Sequence, residues 1–206
     1  YLTKSRFKLA LECPVKLYYT GKKDVYYDNK FDNDFLAALA EGGFQVGELA
    51  KCYYPGGVDI EELDYSAALA STNELLQKEN VVIYEAAFLY KNLFIRADIL
   101  EKKGNHIRLH EVKAKSFDST SDSFTNSKGA IVSKWEPYLY DVAFQKYVIQ
   151  KSFPEFSVTA YLILSDKSAT ASVNGLNQSF FIYEEGGRYK VKKAAHFDAT
   201  NLGNKL

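Results

Sequence analysis

The chain has 206 residues, is 47% hydrophobic, and carries 26 basic and 26 acidic residues for a formal net charge of zero. No apolar run approaches the roughly 18 to 20 residues that a membrane span needs, so the sequence predicts no membrane partner. Two cysteines, Cys13 and Cys52, are too few for a disulfide framework, which favours a cytoplasmic protein. The length suits one domain over residues 1–206, and a start at Tyr1 without methionine predicts a fragment of a longer protein.

The charges are segregated along the chain. Residues 1–23 contain six Lys or Arg and one acid, residues 24–111 contain eight basic and sixteen acidic residues, and the remainder contains twelve and nine. A phosphodiester backbone could meet the basic N-terminal segment and the late lysines, while the acidic middle supplies metal ligands. A solvated surface that clusters by chance explains the pattern equally well, so both interpretations stay open.

The first predicted helix runs to about Tyr19 and is broken midway by Pro14. Its start is basic, and Lys4, Arg6 and Lys8 oppose the helix dipole. An external anion accounts for them better than helix stability does. We therefore predict that Lys4 and Arg6 bind substrate.

Three further segments precede the strands. Residues 20–33 are aperiodic and predict a loop. A helix opens at Asp34 and is expected to be interrupted by Gly42 and Gly43, after which a short helix over residues 44–51 contains Glu48. Residues 66–79 predict another helix, and its weak middle leaves open whether it is continuous or split.

Residues 81–90, 93–100 and 106–114 are β-branched and aromatic and predict a three-strand meander. Alternation along the third strand places four side chains on one face: Ile107, Leu109, Glu111 and Lys113. The ionisable residues of that strand thus leave the sheet on its apolar side.

The rest of the chain predicts a long loop over residues 116–133, a helix over 135–151 and a strand over 156–164. A late hairpin is expected from residues 178–184 and 189–193. The fold class is therefore α/β, with a mixed sheet flanked by helices in α-β-β-β-α-β order. Its core covers about residues 2–165, and residues 166–206 form a C-terminal extension.

Asp98 and Glu111-Val112-Lys113 fall at the ends of neighbouring strands of the meander. Converging carboxylates repel each other unless a cation lies between them, and oxygen ligands select a hard ion such as Mg2+ or Mn2+. We predict Asp98 and Glu111 as direct ligands, the Val112 carbonyl as a third, and Glu48 as a ligand from the helix side. Lys113 is predicted to orient an attacking water.

Two simpler interpretations compete with this site. Three acid-x-Lys tripeptides occur in the chain, about as many as its composition predicts by chance. Glu111 and Lys113 could simply pair on an exposed strand, a contact worth about 0 to 1 kcal/mol. Glu85 and Arg96 are expected to form a structural cross-strand pair.

The order of Glu48, Asp98, Glu111-Val112-Lys113 and Gln145 resembles the PD-(D/E)XK nuclease superfamily, and within it the RecB-type exonuclease branch. Two segments strengthen the likeness, namely residues 2–7 with Cys13-Pro14, and residues 141–147. They are similar to bacterial proteins in which a nuclease-like domain precedes an RNase-H-like exonuclease domain. Ala97 stands where the superfamily usually has proline, and no late cysteines accompany Cys13, so an iron-sulfur cluster is not implied.

The resemblance implies a restriction-endonuclease-like fold in which Glu48, Asp98 and Glu111 bind metal. It further implies that Lys113 assists the water and that Gln145 contacts the site or the substrate. The leading hypothesis is a Mg2+- or Mn2+-dependent exonuclease that hydrolyses DNA, with RNA as the weaker substrate candidate. The alternative is a non-catalytic nucleic-acid-binding or interaction module that retains the fold.

Overall fold

The computed structural model describes residues 1–22, 24–26, 34–171, 173–186 and 188–202. Most of the loop predicted over residues 20–33 lies outside these ranges. The chain divides into two compact units. Unit 1 comprises Tyr1–Asp28, Gly56–Glu111 and Phe124–Leu162, and unit 2 comprises Asn29–Pro55, Val112–Ser123 and Ile163–Leu206. Among the helices of the described ranges, none has both the length and the apolarity needed to cross a bilayer.

The described residues form five α-helices and eight strands. The helices are α1 (Lys4–Glu12), α2 (Pro14–Tyr19), α3 (Asp34–Cys52), α4 (Tyr65–Leu76) and α5 (Glu136–Ser152). The strands are β1 (Leu2–Thr3), β2 (Val58–Asp59), β3 (Asn80–Tyr90), β4 (Leu93–Lys103), β5 (His106–Phe117), β6 (Ser157–Asp166), β7 (Phe180–Glu185) and β8 (Arg188–Lys193).

Six strands form one mixed sheet in the order β2-β3-β4-β5-β6, with β1 added beside β4. The pairs β3–β4 and β4–β5 are antiparallel, whereas β1 and β2 pair in parallel with β4 and β3. Backbone hydrogen bonds from Ser157 to Asn105 and from Lys167 to Phe117 show that β6 runs parallel to β5. The predicted mixed α/β class with its three-strand meander is confirmed.

The meander carries the core of unit 1. Ile83, Leu100 and Leu109 have no exposed surface, and α4 and α5 both pack against β3. Phe7 of α1 stacks on Phe144 of α5 with ring centroids 4.3 Å apart. Burial of such side chains contributes roughly 1.5–3 kcal/mol each. The sheet that presents the candidate residues is therefore rigidly supported.

One helix prediction was wrong and one was confirmed. Helix α3 continues through Gly42 and Gly43, and α4 is not split. Each helix-interior glycine costs about 1 kcal/mol relative to alanine, which a 19-residue helix tolerates. The break at Pro14 is confirmed, because α1 ends at Glu12 and proline opens α2, where its missing N–H costs nothing.

The later elements also match in type. Strands β7 and β8 pair as an antiparallel hairpin, as predicted, although Gly187 of its turn lies outside the described residues. In the predicted loop of residues 116–133, β5 continues to Phe117 and an isolated bridge joins Thr125 to Ile131.

Strand β4 has a gap along one edge, and this gap positions the candidate site. Strand β3 covers the other edge over the full length of β4. On the gapped edge, β1 pairs with Leu93 and Phe94, and β5 pairs only from Ile99 onward. Residues 95–98, called the β4 gap below, therefore lie between two partner strands. Helix α1 begins at Lys4, directly after β1, and so enters beside this gap.

Candidate active site

Asp98 and Glu111 lie next to each other where the pairing of β4 with β5 ends. The last paired residues of the two strands are Ile99 and His110, and Asp98 and Glu111 are the next positions along each strand. The Asp98 side chain is 24% exposed, whereas that of Glu111 is fully buried. The predicted meeting of the two carboxylates within one site is thus observed in unit 1.

Lys4 joins the two carboxylates. Its Nζ lies 3.0 Å from Asp98 Oδ1, 3.2 Å from Glu111 Oε1 and 3.1 Å from Glu111 Oε2. The same ammonium donates to the Arg96 carbonyl of the β4 gap at 3.3 Å. The Lys4 ammonium therefore occupies the point on which the two acids converge.

Gln145 of α5 holds Glu111 from the other side. Its Nε2 donates to Glu111 Oε2 at 2.7 Å and to Asp141 Oδ1 at 3.0 Å. Both Gln145 and Asp141 are fully buried. The single turn between residues 141 and 145 places both side chains on one face of α5. One amide group thus connects two buried carboxylates.

These contacts set the protonation of Lys4. Burial alone lowers the pKa of its ammonium, but the charges of Asp98, Glu111 and Asp141 outweigh burial and hold the pKa above its usual value. Lys4 therefore stays charged at neutral pH. Its positive charge lies close to the acidic side chains of Asp98, Glu111 and Asp141.

The backbone opposite Asp98 is strained. Glu85 lies opposite Asp98, because the residues on either side of it, Tyr84 and Ala86, pair with Ile99 and Ala97. Its backbone φ is 58°. A non-glycine residue pays a steric cost in this left-handed region, and such strain is concentrated at functional sites. The Glu85 carboxylate instead pairs with Arg96 Nε at 3.2 Å, as predicted from the sequence.

The donor chemistry of the site fits a hard divalent cation. Carboxylate oxygens of Asp98 and Glu111 converge on one point, and Mg2+ is commonly held by one or two carboxylates plus waters. Within the described ranges, no group of three or more His, Cys, Asp or Glu side chains is placed to hold a metal ion, so Asp98 and Glu111 would need waters as further ligands. Mg2+–oxygen distances are about 2.0–2.1 Å, so an ion at this point requires the Lys4 ammonium to leave.

Glu48, predicted as a further ligand, lies in α3 of unit 2. Its carboxylate pairs with Lys51 at 3.4 Å and with Lys193 at 3.5 Å, and its side chain is 18% exposed. Both partners belong to the same unit. The contacts described for Glu48 are therefore structural ion pairs within unit 2.

Three other predicted residues lie outside the Asp98–Glu111 contacts described above. Val112 and Lys113 follow Glu111 on β5 in unit 2, and both are half-buried. Arg6 is exposed and donates from Nη1 to the Tyr1 carbonyl at 2.9 Å. Its predicted role in substrate binding stays a prediction, as does that of Lys113 toward water.

Sequence reasoning missed two features of the site. Asp141 was noted only as part of the segment 141–147 that carries the resemblance, although its i, i+4 spacing to Gln145 was a usable signal. Lys4 was predicted to bind an external anion, and its contacts with Asp98 and Glu111 span 94 and 107 residues. No local pattern reveals pairing over such distances.

Comparison with known proteins found no match for this chain. No protein-family model matches the sequence, and neither a curated protein nor a solved structure is similar to it. The geometry of Lys4, Asp98, Glu111, Asp141 and Gln145 is thus the basis on which a function can be argued.

Proposed function

We propose that this chain is a divalent-metal-dependent nuclease domain that hydrolyses phosphodiester bonds of DNA as an exonuclease. We further propose that it has a restriction-endonuclease-like fold of the RecB type and acts in the cytoplasm. The longer protein is proposed to carry an RNase-H-like domain after this one.

One observation carries the proposal. Two carboxylates at the ends of adjacent strands converge on a single cation position, and the ammonium of Lys4 marks that position at 3.0–3.2 Å. Glu111 is fully buried, and burying a carboxylate is costly unless it is paired and hydrogen-bonded, as Glu111 is with Lys4 and Gln145. Backbone strain at Glu85, opposite Asp98, supports a functional role for the same place.

In this proposal, Asp98 and Glu111 hold a Mg2+ or Mn2+ ion. When bound, the ion would supply polarisation of a phosphoryl oxygen and acidification of a water. Gln145 fixes the orientation of Glu111 through its 2.7 Å hydrogen bond. Lys113 orients the attacking water, and Arg6 contacts the phosphate backbone.

A cleavage assay with end-labelled linear DNA, circular DNA and RNA tests the proposal. We expect Mg2+- or Mn2+-dependent loss of linear DNA, because an exonuclease needs an end. Glu111→Gln removes the charge with little change in shape and should slow cleavage by about two orders of magnitude or more, the scale of losing one charge-stabilising group.

Glu12→Gln is the matched control, because Glu12 is exposed in a pair with Lys16 and its loss should leave the rate unchanged. Absence of cleavage of every substrate by the parent protein, or equal rates for Glu111→Gln and the parent, would refute the nuclease proposal.

A non-catalytic nucleic-acid-binding module is the second candidate. The observation that favours it is the Lys4 ammonium, which already compensates the two carboxylates without a metal ion. Fluorescence anisotropy in EDTA separates the candidates. A binding module binds labelled DNA equally well with and without Mg2+ and leaves it intact.

A further inference from the structure

We infer that Lys4 is the resident cation of the Asp98–Glu111 site and that a divalent ion binds there only by displacing it. The displacement step rests on the proposed function, because it requires that the site accepts a metal. The role of Lys4 as a counter-ion is independent of catalysis.

The position of Lys4 is built into the fold. Pairing of Leu2 with Leu93 and of Thr3 with Phe94 places Lys4 beside the β4 gap. Thr3 then caps α1, with its Oγ1 accepting from the Arg6 N–H at 3.4 Å. A lysine in the first turn of a helix opposes the helix dipole. Its location is explained by the two carboxylates that its Nζ contacts.

Burial makes this contact necessary in the metal-free protein. Glu111 has no exposed surface, and an uncompensated buried carboxylate is strongly destabilising. The Lys4 ammonium lies within 3.2 Å of both Glu111 oxygens and within 3.0 Å of Asp98 Oδ1. These contacts supply the positive charge that the buried site requires.

The same geometry makes the two cations mutually exclusive. A metal ion coordinated by Asp98 and Glu111 would occupy the space of the Lys4 Nζ, and two cations at that separation repel each other strongly. Lysine carries its charge on a flexible four-carbon stem, and the Lys4 side chain is 23% exposed. It can therefore swing toward solvent while the helix stays in place. Metal binding is then a cation exchange.

Calorimetric titration of the 206-residue chain with Mn2+ tests the exchange. Lys4→Gln removes the competing charge while keeping a polar side chain. We expect it to bind Mn2+ roughly tenfold more tightly than the parent, a factor that corresponds to about 1.4 kcal/mol. Lys16→Gln is the matched control, because Lys16 lies in an exposed pair with Glu12, and its Mn2+ affinity should equal that of the parent.

A second pair of measurements does not depend on metal affinity of the variant. Without metal, Lys4→Gln should unfold at a lower temperature than Lys16→Gln, because only the former removes a cation that contacts a buried carboxylate. Labelling of lysine amines in the parent protein, read by mass spectrometry, should increase at Lys4 and stay constant at Lys16 when Mg2+ is added. If Lys4→Gln does not fold, this labelling of the parent protein still tests the cation exchange.

The outcomes separate the two proposals. Equal Mn2+ affinity of Lys4→Gln and the parent, no Mn2+ binding by either, or Lys4 labelling that Mg2+ does not change would overturn the exchange. Cleavage of DNA together with any of these results overturns the exchange alone. Exchange in a protein that cuts no nucleic acid overturns the nuclease proposal and leaves the exchange standing.

Discussion

Glu111 of unit 1 and Glu48 of unit 2 were both predicted to bind metal, and both pair with lysines. Glu111 is fully buried and lies 3.1 Å from the Lys4 ammonium, with the Gln145 amide on its other side. Glu48 is 18% exposed, and its lysines lie at 3.4 and 3.5 Å. Both carboxylates pair with lysine, but Glu111 is shielded from solvent and Glu48 is partly exposed to it.

This difference in exposure changes how much each ion pair contributes to stability. Partly exposed pairs contribute about 0–1 kcal/mol and are screened by salt, whereas breaking a buried pair costs about 3–5 kcal/mol. Glu111 therefore couples its charge to the stability of unit 1. The charge of Glu48 contributes much less to the stability of unit 2. Substitutions at or beside each carboxylate test this contrast.

The largest expected effect comes from Gln145→Glu. This substitution replaces the bridging amide by a third carboxylate next to Glu111 and Asp141, both fully buried. We expect a loss of about 3–5 kcal/mol in the free energy of unfolding at pH 7, measured by urea denaturation without metal.

The loss should also depend on pH. Burial and the neighbouring carboxylates disfavour the charged form, so the folded protein keeps a proton that the unfolded chain releases above about pH 4.3. Stability relative to the parent then falls as pH rises from 5 to 7. Gln45→Glu is the control in unit 2, where the half-buried Gln45 donates to the Phe180 carbonyl, and it should cost about 1–2 kcal/mol. Equal losses for both variants would remove the contrast between the two units.

The smallest expected effect comes from Glu48→Gln. The partly exposed pairs with Lys51 and Lys193 should contribute no more than about 1 kcal/mol at low salt. At 1 M NaCl, where the screening length is about 3 Å, the difference from the parent should vanish. Thermal unfolding at the two salt concentrations measures it. A loss of several kcal/mol that persists at 1 M NaCl would show that Glu48 is energetically equivalent to Glu111.

Local patterns predicted most of the fold. Alternating β-branched and aromatic residues located β3, β4 and β5, and Lys91-Asn92 forms the predicted two-residue turn between Tyr90 and Leu93. The predictions that failed relied on local sequence rules, which tertiary contacts can override. Gly42 and Gly43 were expected to interrupt a helix that runs unbroken through them. Strand ends also extended beyond the prediction, with β4 reaching Lys103 and β5 reaching Phe117.

The site was predictable only where the chain brings its residues together locally. The meander delivers Asp98 beside Glu111, and this could be anticipated from the strand pattern. The cation between them could not, because Lys4 arrives through a strand of two residues that pairs more than ninety positions away. Glu48 was predicted as a metal ligand from its place on a helix, and this stays a prediction. The structure pairs it with Lys51 one turn away and with Lys193.

The brevity of β1 gives the Lys4 contact a second consequence. A strand of two residues has little side-chain pattern with which to define its alignment, and a slip of one position would turn its side chains to the opposite face. Such a slip would also move Lys4 by about 3.3 Å along β4 and separate its ammonium from Asp98 and Glu111. The buried charge of Glu111 therefore penalises every wrong alignment of the first strand. The two acids that contact Lys4 thereby also specify how the start of the chain joins the sheet.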